Sequence, residues 1–564
     1  MLGGAGVFGS HLVTGLLAHT DFDVVVAGRD AARLAGFTAR CSIGSEHRVG
    51  IRVLDARDVS SEALRETGAW IVVDAAGPYQ AGDYRVARAA IAAGLAYIDL
   101  ADGRSFVAGF SMLDAAARAA GVVALTGASS TPALSSAALD RLTAGWRHVD
   151  QVDVAISPGN RAPRGLSVMR SILSYAGRPV RVFTDGSWHQ RPGWGMTVRR
   201  TMPGLGRRFL SLAETPDLDV IPARFAVRRA AVFRAGLELP GLHLGLLAAT
   251  VLVRLGVVRS LAPLARPFRF LAGVFQSFGG DRGGMTVEAL GTDADGRAVR
   301  GIWSLVADAG DGPVIPTLPA LAAIRALAAC RFVATGARAC VGVLTLANIE
   351  AEFRPYRITS RIRFEAAPES LYEAVLGPAF LRLPAPLRCF HQPGWGLAAS
   401  GMAQVEGATG WLARAAAVAF GFPPAGEVAV TIDISVSDGE ERWTRDFGGR
   451  RFVSTLSAAA VPGRLVERFG PFAFELDLLI SAAGVLGMPV RAWRLGPFPL
   501  PHVLAPVSLA TEDLDEFDRF RFDVELRLPF GLGRLVRYRG WLIRKIVTAQ
   551  VGRWDLPLTG HGPM

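Results

Sequence analysis

Seven residues near the start of the chain, Gly3-Gly4-Ala5-Gly6-Val7-Phe8-Gly9, restrict its possible folds more than any other segment. They contain a G-x-G-x-x-G. In a strand–turn–helix unit the first glycine permits a tight turn and the second lets the backbone approach a pyrophosphate. The third lets the following helix pack closely on the sheet. That helix would present free N–H groups and a positive dipole end to phosphate oxygens. Such a turn follows a buried strand, yet only Met1 and Leu2 precede it. The first strand is therefore expected to be cut short, or to start upstream of this Met. A lone glycine pattern is weak, so its neighbours decide. Residues 10–17 carry apolar side chains at helical spacing, and Asp23-Val24-Val25-Val26-Ala27-Gly28 reads as a buried parallel strand.

Where that strand ends, an NAD site would set Asp or Glu against the ribose hydroxyls. Here Gly28-Arg29-Asp30 stands instead. Arg29 offers a planar fork of donors to a 2′-phosphate, which favours NADP(H). The alternative makes Arg29 a solvated loop charge and Asp30 a helix N-cap. Residues 51–55 read as a third strand, with Asp55 near an adenine, and residues 70–79 as a fourth that runs into a loop beside a nicotinamide. Helical residues 84–94 and 106–120 lead to strands at 96–100 and 122–127. This alternation predicts a Rossmann-like, doubly wound parallel sheet whose ligands bind outside the carboxyl ends of the strands. The cofactor-binding candidates are Gly4, Gly6, Val7, Phe8, Gly9, Arg29, Asp55, Ala76, Gly77 and Pro78.

The blocks GGAGVFG, VVVAGRD, VVDAAGPYQ with Gly82, GLAYIDLADG and TGASSTPALSS, in that order, resemble the saccharopine dehydrogenase-like (saccharopine reductase) family. The resemblance covers roughly residues 1–350 and is strongest over 1–145. It implies an NADP-binding domain followed by a second domain that shapes the substrate cleft. It implies no particular substrate, because the family's members act on unrelated molecules.

The expected domains are 1–147, dinucleotide-binding; 148–352, a mixed α+β substrate domain; and 365–550, a β-rich antiparallel domain of barrel or half-barrel type. In the second, alternating strands are expected at 152–157, 180–184, 285–291 and 301–307, with helices over 315–350 returning to the first. Residues 241–258 are almost wholly apolar, interrupted chiefly by His243 and Arg254. Three readings stand: a buried helix lining an apolar cleft, a peripheral membrane helix whose Arg254, Arg259, Arg266 and Arg269 reach anionic headgroups, and a span. In the third domain, helices at 368–382 and 408–420 precede strands at 428–436, 441–447, 451–456, 463–469, 472–479, 520–528 and 533–542. Its segments PAFLRLPAPLRCFH, FGFPPAGE, ERWTRDFGGR and YRGWL resemble an uncharacterised bacterial domain found fused behind saccharopine dehydrogenase-like proteins. Trp443, Arg445, Phe447 and Arg451 either line a pocket for an anionic amphipathic ligand or alternate between solvent and core. His391 is a polar anchor or a structural histidine.

Half of the 564 residues are hydrophobic and 20% are charged, which describes a globular chain of about two to four domains. The net charge of +11 favours an anionic partner: the cofactor, a phosphorylated or carrier-linked substrate, or a lipid surface. No helix-turn-helix, RNA-binding or zinc-finger pattern is present, which argues against nucleic acid. Cys41, Cys330, Cys340 and Cys389 are too scattered for a metal or disulfide framework, so reduced thiols and a cytoplasmic location are expected. The phosphate turn occupies the place of a signal peptide.

Candidates for chemistry are sparse. Tyr79 would donate a proton or stack on the nicotinamide. Asp102 would act beside it or cap the next helix. Asp99, Ser129 and Ser130 would orient substrate or serve as caps, and His11 reads as a surface residue. The only lysine, Lys545, stands in no Tyr-x-x-x-Lys pair, which removes the short-chain dehydrogenase mechanism. The leading expectation is an NADP(H)-dependent oxidoreductase that moves a hydride to or from an apolar or amphipathic small molecule. The alternatives are a non-catalytic NADP(H) sensor that docks on lipid or membrane, and a lipid carrier with a vestigial nucleotide fold. A homodimer is the expected assembly.

Overall fold

The structure, a computed structural model, describes residues 1–544 except 42–45, 81, 164, 332–333, 368, 420, 424 and 438. Lys545 and the last residues of the expected third domain lie outside the described residues. Among the described residues, Met1–Gly296 with Arg300–Glu365 form one compact unit, and 366–544 with Arg297–Val299 a second.

Five short strands rich in Val, Ile and Ala open the first unit: β1 (Val24–Gly28), β2 (Val49–Val53), β3 (Ile71–Asp74), β4 (Ala96–Asp99) and β5 (Val123–Thr126). All pair in parallel, β1 with β2 and β3 with β4 with β5. Leu2 joins the two ladders. It bridges Ala27 on one side and Asp74 on the other, and its N–H donates to Val73 O at 2.9 Å. The Ala75 N–H returns a bond to Leu2 O at 2.9 Å, and the Ala27 N–H donates to Met1 O at 2.8 Å. The slot of a first strand is thus filled by two residues, with the Leu2 side chain buried. Chain order reverses here, between β1 and β3, which is where doubly wound sheets open a ligand crevice.

Two helices flank the crevice: α1 (Val7–His19) and α2 (Ala31–Cys41). Leu12, Val13 and Leu16 of α1 are buried in a core that runs without a break to Val152, Val154 and Trp303, so the first two expected domains share one interior. The helix Leu318–Ala328 packs back on α1. Gly336–Ala339, expected to be helical, instead pairs in parallel with β5. Its backbone completes the sheet edge, through Gly336 N–H to Val122 O (2.9 Å) and Cys340 N–H to Thr126 O (2.8 Å), and that pairing outweighs the helix propensity of alanine.

Behind it lies a mixed sheet centred on β6 (His148–Ser157), with Gly283–Thr292 antiparallel on one side and Ala230–Ala235 parallel on the other. The second unit is a 13-stranded antiparallel sheet. The short helices Leu371–Leu376 and Ala385–Phe390 add Leu371, Tyr372, Leu387 and Phe390 to its core. Trp443, Arg445 and Phe447 share one face of their strand. The Arg445 guanidinium lies 4.9 Å from the Trp443 ring and donates to Ser454 Oγ at 2.6 Å. Arg451 is exposed and pairs in register with Asp446, so it faces away from the other three. His391 is buried, Nε2 lying 2.7 Å from Glu512 Oε2 and the ring stacked on Tyr372.

Candidate functional site

The glycine turn is built by close backbone contact. Gly3 adopts φ +69°, a left-handed conformation that disfavours side chains, and a Cβ there would lie 2.7 Å from Ala75 C. The tight turn therefore falls on Gly3, one residue before the expected Gly4, whose Cβ would instead lie 2.8 Å from a Val26 methyl. A Cβ on Gly6 would lie 2.9 Å from Gly3 O, and one on Gly9 would overlap that same oxygen. Gly6 is the N-cap of α1 and makes no side-chain cap bond, so the first-turn N–H groups at Val7 and Phe8 have no side-chain acceptor. The loop before the helix Leu166–Tyr175 approaches this turn, since a Cβ on Gly165 would meet the Val7 side chain at 3.4 Å.

Beyond β1, Asp30 Oδ1 accepts the Arg33 N–H at 3.0 Å and caps α2. The Asp30 carboxylate is thereby engaged, through Oδ1, in capping the helix. Arg29 is exposed and makes no hydrogen bond to a described residue. Arg33, which sequence reasoning missed, donates from Nη2 to Ala5 O at 2.9 Å and so reaches the phosphate turn. Its signal was present: it stands one helical turn beyond Arg29. Asp55 is gripped by Arg57 through Nε and Nη2, which holds its carboxyl down at about 2, and Arg29 adds to the effect.

The loops after β3, β4 and β5 meet at the carboxyl edge. Gly77 and Pro78 are exposed there, while Ala76 donates its N–H to Asp74 Oδ1 at 2.8 Å. Two candidates turn inward. Tyr79 is buried and donates its hydroxyl to Asp74 O at 2.7 Å, with its ring 5.3 Å from that of Phe106. Burial and the nearby Asp74 push the phenol well above its usual range. Its hydroxyl and ring are thus engaged inside the fold, where the expectation had them donate a proton or stack on a nicotinamide. Asp99 is likewise buried and accepts Gly127 N–H (2.7 Å), Ala101 N–H (3.0 Å) and Thr126 Oγ1 (2.9 Å). Its expected contact with substrate is corrected to a clamp between loops. Burial pushes its carboxyl up to about 7, and Asp74 beside it to about 6.

Asp102 stays outside. Solvent reaches its side chain, and crowding by surrounding protein raises its carboxyl above the usual range. Gln80 Nε2 links Asp102 Oδ1 (3.0 Å) to Ser171 Oγ (2.6 Å), tying the loops of the parallel sheet to the helix Leu166–Tyr175. The Ser129 and Ser130 side chains are nearly buried and make no hydrogen bond to a described residue. His11 lines a separate hollow of about 530 Å³ with Ser10, Thr14, Phe37, Arg40 and Tyr356, and burial lowers its imidazole. Among the described residues no group of three His, Cys, Asp or Glu side chains is placed to hold a metal.

A parallel sheet reversing at Leu2, with a glycine turn feeding an uncapped helix, defines a dinucleotide-binding domain of the dehydrogenase class. Residues 1–125 match the family described as the saccharopine dehydrogenase NADP binding domain, and residues 383–542 match a domain of unknown function, DUF4166. The chain thus matches the first of these domains at its start and the second in its last third. Among solved structures it is similar to an oxidoreductase from Sinorhizobium meliloti, at 12% identity and TM-score 0.29 over 63% of this chain and 93% of that one. It is also similar to a probable dehydrogenase from Thermotoga maritima, at 11% identity and TM-score 0.28 over 52% and 72% of the two chains. GenD2 from gentamicin A biosynthesis, in complex with NAD, aligns at 18% identity and TM-score 0.26 over 52% and 69%. No curated protein matches the chain.

Proposed function

We propose that the protein is an NADP(H)-dependent oxidoreductase acting on an apolar or amphipathic small molecule. The reading is carried by the side-chain-free turn at the uncapped start of α1, with Arg29 and Arg33 following the next strand and Asp30 engaged as the cap of α2. Gly4, Gly6, Val7, Phe8 and Gly9 would cradle the pyrophosphate, favoured by the helix dipole and the first-turn N–H groups. Arg29 would take the 2′-phosphate, with Asp55 on the adenine side and Ala76, Gly77 and Pro78 bordering the nicotinamide. The nicotinamide supplies or accepts a hydride when bound. Asp102, whose raised carboxyl keeps its proton to higher pH, would hold or give a proton at the substrate. The Ser129 and Ser130 hydroxyls would donate to a substrate oxygen or nitrogen. The apolar character of the substrate is drawn from the aliphatic helices, Pro240–Arg254 and Ala265–Val274, that share a core with the helix carrying Ser171.

Fluorescence titration with NADPH and NADH tests the proposal. NADPH is expected to bind the more tightly, and Arg29→Ala to abolish the preference. One charge-assisted contact is worth about 1.5–3 kcal/mol, or roughly 10- to 100-fold in affinity. Equal binding of both nucleotides, unchanged in Arg29→Ala, would refute the choice of NADP(H). Binding of neither would refute the oxidoreductase reading.

A further inference from the structure

Between Glu238 and Asp281 lie 42 residues without a single Asp or Glu. They fold as the helix Pro240–Arg254, a connection, the helix Ala265–Val274 and a terminal turn, Gln276–Phe278. One side of this segment is spoken for. Leu246, Leu261 and Ala265 are buried against Leu173, Ala176 and Trp194. His243 is buried with Nε2 2.8 Å from Ser211 Oγ, and desolvation holds its imidazole down at about 4, so it adds no charge at neutral pH.

The other side is unpartnered within its unit. Eleven large apolar side chains between Leu244 and Phe278 are exposed, and Leu255, Val257, Phe270 and Phe278 are 67–76% exposed. An apolar surface of this kind marks an interaction site. Four arginines stand among them: Arg254, Arg259, Arg266 and Arg269. All four are exposed, and none forms an ion pair or hydrogen bond with a described residue. Glu238, which precedes the segment, is committed to the Asn160 and Gly280 N–H groups, at 2.6 and 2.9 Å, and pairs with Arg208.

We infer that this surface docks on the face of an anionic lipid bilayer. Charge selects the occupant. Two copies of the surface facing each other would bring four unneutralised arginines against four more, whereas anionic headgroups neutralise them while acyl chains receive Phe270, Phe278, Leu255 and Val257. Length selects the mode. Fifteen residues of helix reach only about 22 Å, short of the ~30 Å hydrocarbon core, and no helix among the described residues is long and apolar enough to cross a membrane. The segment therefore lies in the interface. It also shares its small core with Leu173, two residues from Ser171 on the helix that borders the Asp102 cleft. A substrate dissolved in the bilayer would reach that cleft along this helix, a point that rests on the oxidoreductase reading; the docking itself does not.

Flotation of the full chain with vesicles tests it, using phosphatidylcholine alone or mixed with phosphatidylglycerol. The protein is expected to float with the anionic vesicles, to be released by high salt, and to ignore the neutral ones. Removing single arginines (Arg259→Ala, Arg266→Ala) is expected to lower the vesicle partition coefficient, read from a lipid titration, about fivefold each. Phe270→Ser with Phe278→Ser, both at exposed sites, is expected to abolish flotation while the melting temperature and NADPH titration stay unchanged. Salt-insensitive binding to both vesicle types, or none to either, overturns the inference. So does a dimer in light scattering that these variants convert to monomer, because the surface would then join two copies. NADPH binding is read separately, so failure of the docking and failure of the oxidoreductase reading are distinguishable.

Discussion

Gly9→Ala isolates the physical requirement of the phosphate turn. The added methyl would overlap Gly3 O and lie 2.9 Å from both Gly3 C and Gly4 Cα. All three are backbone atoms, and ordinary C···O approach is about 3.3–3.6 Å. The turn cannot retreat, because Gly3 is itself lodged against Ala75 and its N–H is bonded to Ala27 O at 2.9 Å. The helix must therefore withdraw, by an amount on the order of 1 Å. Overpacking of this kind costs about 1–3 kcal/mol of stability. The same shift draws the first-turn N–H groups away from a bound pyrophosphate, and losing one charge-assisted bond costs about 1.5–3 kcal/mol, or roughly 10- to 100-fold in NADPH affinity. Gly36→Ala in α2 is the control. A Cβ there meets only the tip of Arg40 at 3.7 Å, and an open helical glycine replaced by alanine gains about 0.5–1 kcal/mol. Thermal melting and NADPH fluorescence of the two variants decide the matter. If Gly9→Ala melts and binds NADPH as the parent does, close packing of α1 on the turn is not what holds the site.

Three further outcomes follow from the same region. Asp99 binds its proton more tightly folded than unfolded, so its contribution to stability is complete below about pH 4 and is lost as pH rises through about 7. At about 1.4 kcal/mol per unit this amounts to a few kcal/mol. Asp99→Asn keeps the oxygen that accepts from Gly127 and should make the fall in stability between about pH 4 and pH 7 shallower, with Asp74 and Asp217 supplying the rest; parallel profiles would contradict the assigned burial. Tyr79→Phe removes one bond to Asp74 O, so melting should fall by about 1 kcal/mol with turnover nearly intact, whereas a proton donor would lose about 10²–10⁴-fold. Asp219→Asn breaks a nearly buried pair in which Arg104 Nε donates to Oδ2 at 2.7 Å, and urea unfolding should show a loss of about 3–5 kcal/mol, with a loss under about 1 kcal/mol refuting the pair's importance.

The parallel sheet was legible because its strands are short unbroken runs of Val, Ile and Ala and its turn needs glycines at fixed spacing. Residues 24–28, 71–74 and 96–99 all lie where the apolar runs put them. What escaped was set by distant partners. Gly396–Glu406, a central strand of the second unit, holds Gly and Ala where β-branched residues would have announced a strand. Those small residues let neighbouring backbones close in: a Cβ on Gly401, which pairs with Leu542, would overlap Trp541 O. Strand propensity reads side chains, and here the fold uses their absence. Gly336–Ala339 was hidden for a related reason, since only β5, more than two hundred residues earlier, gives it a ladder to join.

Asp99 and Tyr79 show the opposite case, in which position was read correctly and direction was not. Both stand at the carboxyl edge, where ligands of such sheets bind, but edge position does not say whether a side chain faces the crevice or the interior. A local signal does. Asp74 Oδ1 accepts the N–H two residues on, from Ala76, and Asp99 Oδ1 accepts the N–H two residues on, from Ala101. These are the same Asx turn on neighbouring strands, with Asp74 and Asp99 in register. An aspartate that ends a buried strand can satisfy its own loop's backbone, and once it does, burial costs it its charge rather than its partners. The pair fixes two loops at once: 75–78, against which Gly3 packs, and 101–104, which presents Asp102 outward and Arg104 to Asp219. In the proposed reaction the inward carboxylates would therefore act only through geometry, by holding Asp102 and the Ala76–Gly77–Pro78 rim in place. Of the acidic candidates at this edge, Asp102 alone combines solvent access, a raised carboxyl and an anchor on the Gln80 amide, and on that ground it is the residue proposed to carry the proton of the proposed reaction.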